Sequence, residues 1–143
     1  MSASDSSALA AFARAVRRER TAALGAPPND GAKMERAVLV YTTYPSVVEA
    51  EQAGRLIVER RLAACVNILP GMISHYWWQG ALERGEEAVM IFKTRASLAE
   101  KVRAAVKASH SYTTPSILVL PIEGGDPDYL RWIFAETEGA SSE

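Results

Sequence analysis

Three segments of the chain are apolar at consecutive positions instead of alternating with polar residues. They are residues 38–41, 89–92 and 117–120, which read Val-Leu-Val-Tyr, Val-Met-Ile-Phe and Ile-Leu-Val-Leu. Short apolar runs that are rich in β-branched residues are typical of buried strands. Because side chains alternate between the two faces of a sheet, strands of this kind carry hydrophobic groups on both faces. Both faces of the sheet therefore need a cover.

The segments between these strands predict helices with recognisable starts. Ser46-Val-Val-Glu49 has the spacing of a capping box and begins an amphipathic helix that runs to about Leu62. Ser97-Leu-Ala-Glu100 offers a similar cap to a second helix. Asp126-Pro127 begins a short last helix, with the aspartate as N-cap and the proline at the first helical position.

The middle of the chain predicts a long bent hairpin. Residues 64–69 and 73–78 are both strand-like, and Pro70-Gly71 between them bends one long strand rather than ending it. Residues 88–94 form the returning strand. The order of elements predicts an α+β, ferredoxin-like fold, βαββαβ with a C-terminal helix, in which right-handed crossovers put two helices on one face of a four-stranded antiparallel sheet.

Two helices leave the second face of the sheet uncovered. About six apolar side chains in water, at roughly 1.5–3 kcal/mol each, would forgo stabilisation on the order of 10 kcal/mol. Since a whole domain is stable by about 5–15 kcal/mol, we expect copies of the same chain to cover this face. The alternative is that the first 24 residues fold back over it as a third helix. The long hairpin also favours an oligomer, because it would overhang its sheet and pair with a neighbour's edge.

The chain divides into three parts. Residues 1–36 are rich in Ala, Ser and Arg and contain the breaker cluster Gly25-Ala-Pro-Pro-Asn-Asp-Gly31, so we predict an extension and linker there. An organelle transit peptide has a similar composition, although Asp5 and Glu19 count against one. Residues 37–138 form the predicted domain, and residues 139–143 are a C-terminal tail.

Charge and cysteine content limit the partners and the compartment. The 16 Lys and Arg nearly balance the 17 Asp and Glu, which gives no footprint for nucleic acid. The single cysteine and the lack of a signal-peptide core favour a reducing compartment, and we expect a cytoplasmic location. The longest apolar stretches are too short to span a membrane. No cysteine and histidine spacing indicates structural zinc, so no metal is expected to be required for folding.

Several residues are candidates for a site, each with a plainer structural role as the alternative. Cys65 is a soft metal ligand or a small buried apolar residue, and His110 is a ligand or a cap of the second helix. Lys93, His110 and Tyr112 would line a cleft between subunits and meet an anion. Trp77 and its aromatic neighbours form a stacking platform or pack at an interface.

A catalytic site and an acidic cation site are the weaker hypotheses. An enzyme would use Cys65 as nucleophile and His110 as base, but no third orienting group stands out, and no catalytic residue is predicted. The carboxylates beside the hairpin turn either attract a cation or are ordinary turn residues. They are Glu83, Glu86 and Glu87.

Four motifs in this order resemble the CutA divalent-cation tolerance family. They are Ala-Ala-Cys-Val-Asn at residues 63–67, Tyr-Trp-Trp-Gln-Gly at residues 76–80, Lys93-Thr94, and His110 with Tyr112 before the Ile-Leu-Val-Leu-Pro strand. The similarity runs from about Ala37 to Glu136. It implies a homotrimer whose subunits pack their sheets about a three-fold axis, with a role in tolerance of copper or other divalent metals.

The resemblance also implies where ligands would bind. His110 and Cys65 are the expected metal ligands, and the expected cleft residues are Lys93, Tyr112, Asn67 and Trp77. Where copper-binding members carry a cysteine and a second histidine, this chain carries Thr42 and Ser109, and Thr113 replaces a glutamate. A second hypothesis is a trimeric small-molecule sensor similar in architecture to PII signalling proteins, with ligand clefts between subunits.

Overall fold

The computed structural model describes residues 35–140, which contain four antiparallel strands and three α-helices. The strand order in the sheet is β2-β3-β1-β4. This arrangement confirms the predicted ferredoxin-like fold. Residues 1–34 and 141–143 lie outside the described residues, and so does the alternative of a third helix formed by the first 24 residues. The elements are β1 (Ala37–Tyr44), α1 (Val47–Glu59), β2 (Cys65–Trp78), β3 (Ala81–Arg95), α2 (Ala99–Ser109), β4 (Ile117–Pro121) and α3 (Pro127–Glu136).

The core lies between one face of the sheet and helices α1 and α2. Val40 on β1 and Met90 and Phe92 on β3 are fully buried there, and the strand register places Val40 opposite Phe92. Helix α2 packs Val102 and Val106 against this face, and both are fully buried. The predicted placement of both crossover helices on one face is thus observed.

Two of the three predicted helix caps are present. Ser46 Oγ accepts a hydrogen bond from the backbone N–H of Glu49 at 3.2 Å, and Asp126 Oδ2 accepts one from Tyr129 N–H at 3.0 Å. The Ser97 cap is wrong. A 3₁₀ turn, Ala96–Leu98, precedes α2, and the N–H of Ser97 donates to a carboxylate oxygen of Glu35 instead.

The long hairpin is confirmed, and it is longer than predicted. β2 is one continuous strand with a bulge between Leu69 and Met72, where Gly71 has φ of 77°. β3 begins at Ala81, not at residue 88, because the two strands stay paired through residues whose charged side chains are typical of a loop. At the tip, Gln79 and Gly80 have positive φ angles of 49° and 81°, which suit a tight hairpin turn.

The second face of the sheet is covered at one end by α3. Ile133 is 1% exposed, and the Arg95 guanidinium donates to Thr137 Oγ1 at 2.8 Å and to the Phe134 carbonyl oxygen. The sequence analysis left the whole second face to other copies of the chain, and that expectation needs this correction. The remainder of this second face, which we call the open face, keeps three leucines exposed. They are Leu69 (51%), Leu118 (57%) and Leu120 (43%).

None of the helices between residues 35 and 140 combines the length and the apolar composition that crossing a bilayer requires.

Candidate functional site

One polar cluster lies on the sheet beside α3 and contains two of the predicted site residues. Cys65 and Lys93 are direct cross-strand partners on β2 and β3. Lys93 Nζ donates a hydrogen bond to Tyr129 Oη at 2.9 Å, and Cys65 Sγ lies 3.9 Å from the same oxygen. The hydrogen bond to Tyr129 raises the pKa of Lys93 above its ordinary value. The ammonium of Lys93 is thus fixed beside the thiol of Cys65, where its charge opposes a metal cation.

His110 is fully engaged by its own surroundings. Its Nε2 lies 2.6 Å from the carbonyl oxygen of Thr43, and its Nδ1 accepts a hydrogen bond from the N–H of Tyr112 at 3.0 Å. Because a carbonyl only accepts, Nε2 carries the hydrogen and the ring is the neutral tautomer. The ring also stacks on Tyr44 with centroids 4.2 Å apart. In this conformation His110 holds the loop after α2 in place.

The residue that His110 positions, Tyr112, contacts a carboxylate on the hairpin. Tyr112 Oη donates to Glu87 Oε1 at 3.2 Å, and Ser74 Oγ donates to Glu87 Oε2 at 3.0 Å. Burial, and then the charge of Glu87, raise the pKa of Tyr112, so its phenol stays neutral and keeps donating. Glu49 secures the same loop by accepting hydrogen bonds from the N–H and the hydroxyl of Ser111, at 3.0 and 3.1 Å.

A cavity of about 780 Å³ opens between the hairpin and this loop. Its wall includes Tyr41, Tyr76, Trp78 and Tyr112, together with the Glu87 carboxylate. Tyr76 lies across the adjacent strand, with its hydroxyl 3.6 Å from the position that a Cβ on Gly85 would take. The sequence analysis names Glu87 as one of three acidic residues beside the hairpin turn and Tyr112 as a cleft residue. It did not indicate that the fold joins them.

One chain does not bring the predicted anion-binding residues together. Tyr112 contacts Glu87, which lies six positions from Lys93 on β3. Six positions correspond to about 20 Å along an extended strand. Asn67 is exposed, opposite Ile91, and Trp77 is 74% exposed on the hairpin. A cleft formed by these residues between subunits stays a prediction.

The two substituted positions of the copper-binding pattern are both occupied by hydroxyls with structural surroundings. Thr42 is fully buried under the helices, and its Oγ1 has no hydrogen-bond partner within residues 35–140. Ser109 Oγ donates to the carbonyl oxygen of Ala105 at 3.0 Å, at the end of α2.

The expected metal ligands do not form a site within one subunit. Cys65 lies beside Tyr129, whereas His110 is held at the end of β1 by Thr43. In the described part of the chain, no group of three or more His, Cys, Asp or Glu side chains is placed to hold a metal ion. The same separation means that one subunit does not assemble Cys65 and His110 as nucleophile and base.

Solved structures and sequence relatives match this chain closely. The structure of the protein CutA from Archaeoglobus fulgidus has a TM-score of 0.69 and 46% identity, covering 71% of this chain and 99% of that one. The CutA1 structure from Oryza sativa has a TM-score of 0.70 and 39% identity, covering 73% and 95%. Among sequences, the divalent-cation tolerance protein CutA of A. fulgidus is 49% identical over 94 residues, which is 66% of this chain and 91% of that protein.

The names of two relatives overturn the predicted cytoplasmic location. The A. fulgidus structure is named a periplasmic protein, and a rice relative that is 41% identical over 97 residues is named chloroplastic. Those residues are 68% of this chain but 55% of the rice protein, so this chain matches about half of its length. The location prediction is therefore wrong. The cysteine content and the signal-peptide pattern of a sequence do not determine the compartment of a protein of this kind.

The match to a family model covers the whole described domain apart from its ends. The model of the CutA1 divalent ion tolerance protein matches residues 38–136, which include all of β1 but its first residue and every later element through α3. This span agrees with the range over which the four sequence motifs occur. The chain belongs to the CutA1 divalent ion tolerance protein family.

Proposed function

We propose that this protein acts in tolerance of divalent cations as a homotrimer, and that its metal ligands come from more than one subunit. The observation that carries the proposal is the open face, which keeps large apolar side chains in water in a single chain. The relatives named for divalent-cation tolerance support the role.

The case for assembly rests on two surfaces of the chain. Leu69, Leu118 and Leu120 remain 43–57% exposed on the open face. The hairpin also extends beyond the rest of the sheet, because the pairing of β1 with β3 ends at Tyr44 and Ala88. An overhanging two-stranded ribbon offers unpaired backbone groups along β3 to a neighbouring strand. Both surfaces are explained if copies of the chain pack their sheets together.

The case for shared ligands rests on distance. Cys65 pairs across the sheet with Lys93, and Lys93 pairs in turn with Leu39 on β1. His110 contacts Thr43, which is four residues further along β1. That separation is about 13 Å at the rise of a strand, whereas a metal lies about 2.0–2.3 Å from each nitrogen or sulfur ligand. One ion therefore cannot meet both side chains of one subunit. Coordination by His110 also requires it to release Tyr112 N–H or the Thr43 carbonyl oxygen.

Calorimetric titration of the metal-free protein with Cu²⁺ and with Zn²⁺ tests the ligands. We expect His110→Ala and Cys65→Ser each to weaken binding of at least one ion about tenfold or more. His75→Ala is the matched control, because His75 is an exposed histidine on the hairpin. Equal affinity in the wild type, His110→Ala and Cys65→Ser removes both residues from the ligand list and refutes the shared site.

A trimeric small-molecule sensor is the second candidate, and the cavity beside the hairpin favours it. Its volume of about 780 Å³ is within the range of small-molecule sites. A thermal shift of the protein with nucleotides, and none with metal ions, would support the sensor over metal tolerance. The opposite pattern would eliminate it.

A further inference from the structure

We propose that Lys93, held in place by Tyr129, sets the metal preference of Cys65 by disfavouring divalent ions relative to a soft monovalent ion. This role rests on the proposed function, in which Cys65 is a metal ligand, and it adds a residue that determines specificity. The contacts that define the role lie within one subunit and need no exposed cavity.

The ammonium of Lys93 lies close to the sulfur of Cys65. The two residues are direct cross-strand partners, so their side chains share one face of the sheet. Lys93 Nζ and Cys65 Sγ lie 2.9 and 3.9 Å from the same Tyr129 oxygen, so they are closer together than one Debye length, about 8 Å at physiological ionic strength. A metal ion bound to Cys65 Sγ would therefore experience the charge of Lys93.

Tyr129 keeps the ammonium in this position. Its hydroxyl accepts the hydrogen bond from Lys93, and the ammonium also lies 5.2 Å from the centroid of the Tyr129 ring. Tyr129 belongs to the first turn of α3, whose backbone is fixed by the Asp126 cap. The other end of the helix is secured by Ile133, which is buried, and by the hydrogen bonds of Arg95. Lys93 is thus held by a helix that is anchored at both of its ends.

The charge of Lys93 is not cancelled within the described subunit. None of the ion pairs between residues 35 and 140 includes Lys93. Its partner is the hydroxyl of a phenol, not a carboxylate. This hydrogen bond raises the pKa of Lys93 above its ordinary value, so the ammonium persists at neutral pH. A metal ion at Cys65 would meet a full positive charge.

The repulsion depends on the charge of the metal ion. Coulomb energy is proportional to the product of the two charges, so the ammonium opposes a divalent ion twice as strongly as a monovalent ion at the same position. A thiolate is also a soft ligand, which suits Cu⁺ and similar ions. Cys65 beside Lys93 therefore favours a soft monovalent ion, whereas Zn²⁺ loses part of the affinity that the thiolate would give it.

Competition calorimetry on the full-length, metal-free protein, with Ag⁺ as the soft monovalent probe and with Zn²⁺, tests the proposal. Lys93→Met removes the charge at similar length, and Lys93→Arg keeps the charge. Tyr129→Phe keeps the ring and removes the hydroxyl that positions Lys93. The matched control is Lys101→Met, because Lys101 is an exposed lysine on α2. Cys65→Ser measures how much of each affinity depends on the thiol.

We expect Lys93→Met to raise the affinity for Zn²⁺ about tenfold and the affinity for Ag⁺ about threefold, because the repulsion of Ag⁺ is half as strong. Tyr129→Phe should change the ratio of the two affinities in the same direction by a smaller factor, because the released side chain of Lys93 can turn toward solvent. Lys93→Arg and Lys101→Met should keep the ratio of the wild type.

The proposal is overturned if Cys65→Ser weakens the binding of both ions but Lys93→Met leaves their ratio unchanged. A carboxylate from a neighbouring subunit that neutralises Lys93 would give this same result, and the metal role of Cys65 would stand. The proposal is also overturned if Lys93→Arg changes the ratio as much as Lys93→Met, because the charge would then not be the cause. An unchanged ratio in Tyr129→Phe refutes the positioning role of Tyr129. If Cys65→Ser changes neither affinity, the proposal fails together with the assignment of Cys65 as a ligand.

Discussion

Replacing Leu118 by glutamate should dissociate the proposed trimer without unfolding the subunit. Leu118 is on the edge strand β4, opposite Tyr41, and 57% of it is exposed in a single chain. Full burial of a leucine side chain is worth roughly 1.5–3 kcal/mol, so covering the exposed part contributes about 0.9–1.7 kcal/mol per subunit. A buried, unpaired carboxylate adds a penalty of several kcal/mol. Across three subunits the loss is on the order of 10 kcal/mol or more.

Size-exclusion chromatography with light scattering at micromolar concentration measures the effect directly. The wild type should have the mass of three subunits, and Leu118→Glu the mass of one. Far-ultraviolet circular dichroism should stay the same, because Leu118 is not in the core of the subunit. The matched control is Leu56→Glu, since Leu56 has a similar exposure of 52% but lies on α1, on the opposite side of the sheet.

Two results would refute the reasoning about the open face. One is a wild-type mass equal to that of a single folded subunit. The other is a trimer that survives Leu118→Glu as well as it survives Leu56→Glu, because the exposed leucines would then lie outside any interface.

Three further predictions concern the stability of the subunit, measured by urea unfolding. Gly80→Ala should cost about 1–2 kcal/mol because φ at Gly80 is +81°, whereas Gly124→Ala, which meets no atom within 4 Å, should cost less. Phe92→Ala should cost about 3–5 kcal/mol by opening a cavity at a fully buried site; a cost under 1 kcal/mol would contradict that packing. The N–H of Ser97 lowers the pKa of Glu35 below 4.5, so the wild type should be more stable than Glu35→Gln at neutral pH. That difference should shrink as the pH falls through the lowered pKa, and a difference that stays constant from neutral pH down to the acid unfolding transition would refute it.

The parts of the fold that the sequence predicted are those encoded by neighbouring residues. The Asp126 cap and the start of α1 at Ser46 depend on side chains within three positions of each other. The order of strands and helices follows from hydrophobic periodicity. The Ser97 cap failed because the backbone N–H found a partner in Glu35, which lies 62 residues away.

The candidate sites depended on pairings that a linear sequence does not show. Glu87 meets Ser74 because the hairpin continues past residue 88, and the charged residues there resemble a loop since neither strand face is buried. Tyr129 reaches Lys93 because α3 packs on the second face, which its amphipathic pattern did not decide. The sequence and the family resemblance indicate Lys93, Cys65 and Tyr112 as candidates, but the neighbours of these residues are decided by the three-dimensional arrangement.

The bulge at Pro70 and Gly71 decides which way the aromatic hairpin points. Before it, odd-numbered residues such as Asn67 and Leu69 share a face, and after it the even-numbered Met72 and Tyr76 continue on that same face. A regular strand of this sequence would turn Tyr76 and Trp78 to the opposite side and point His75 and Trp77 in their place. Removing Gly71 alone should therefore straighten the ribbon yet keep every downstream side chain on its present side. Removing one residue from 73 to 77 should instead move side chains to the opposite face of the ribbon on one side of the deletion. The affected part extends either back to the bulge or forward to the hairpin tip.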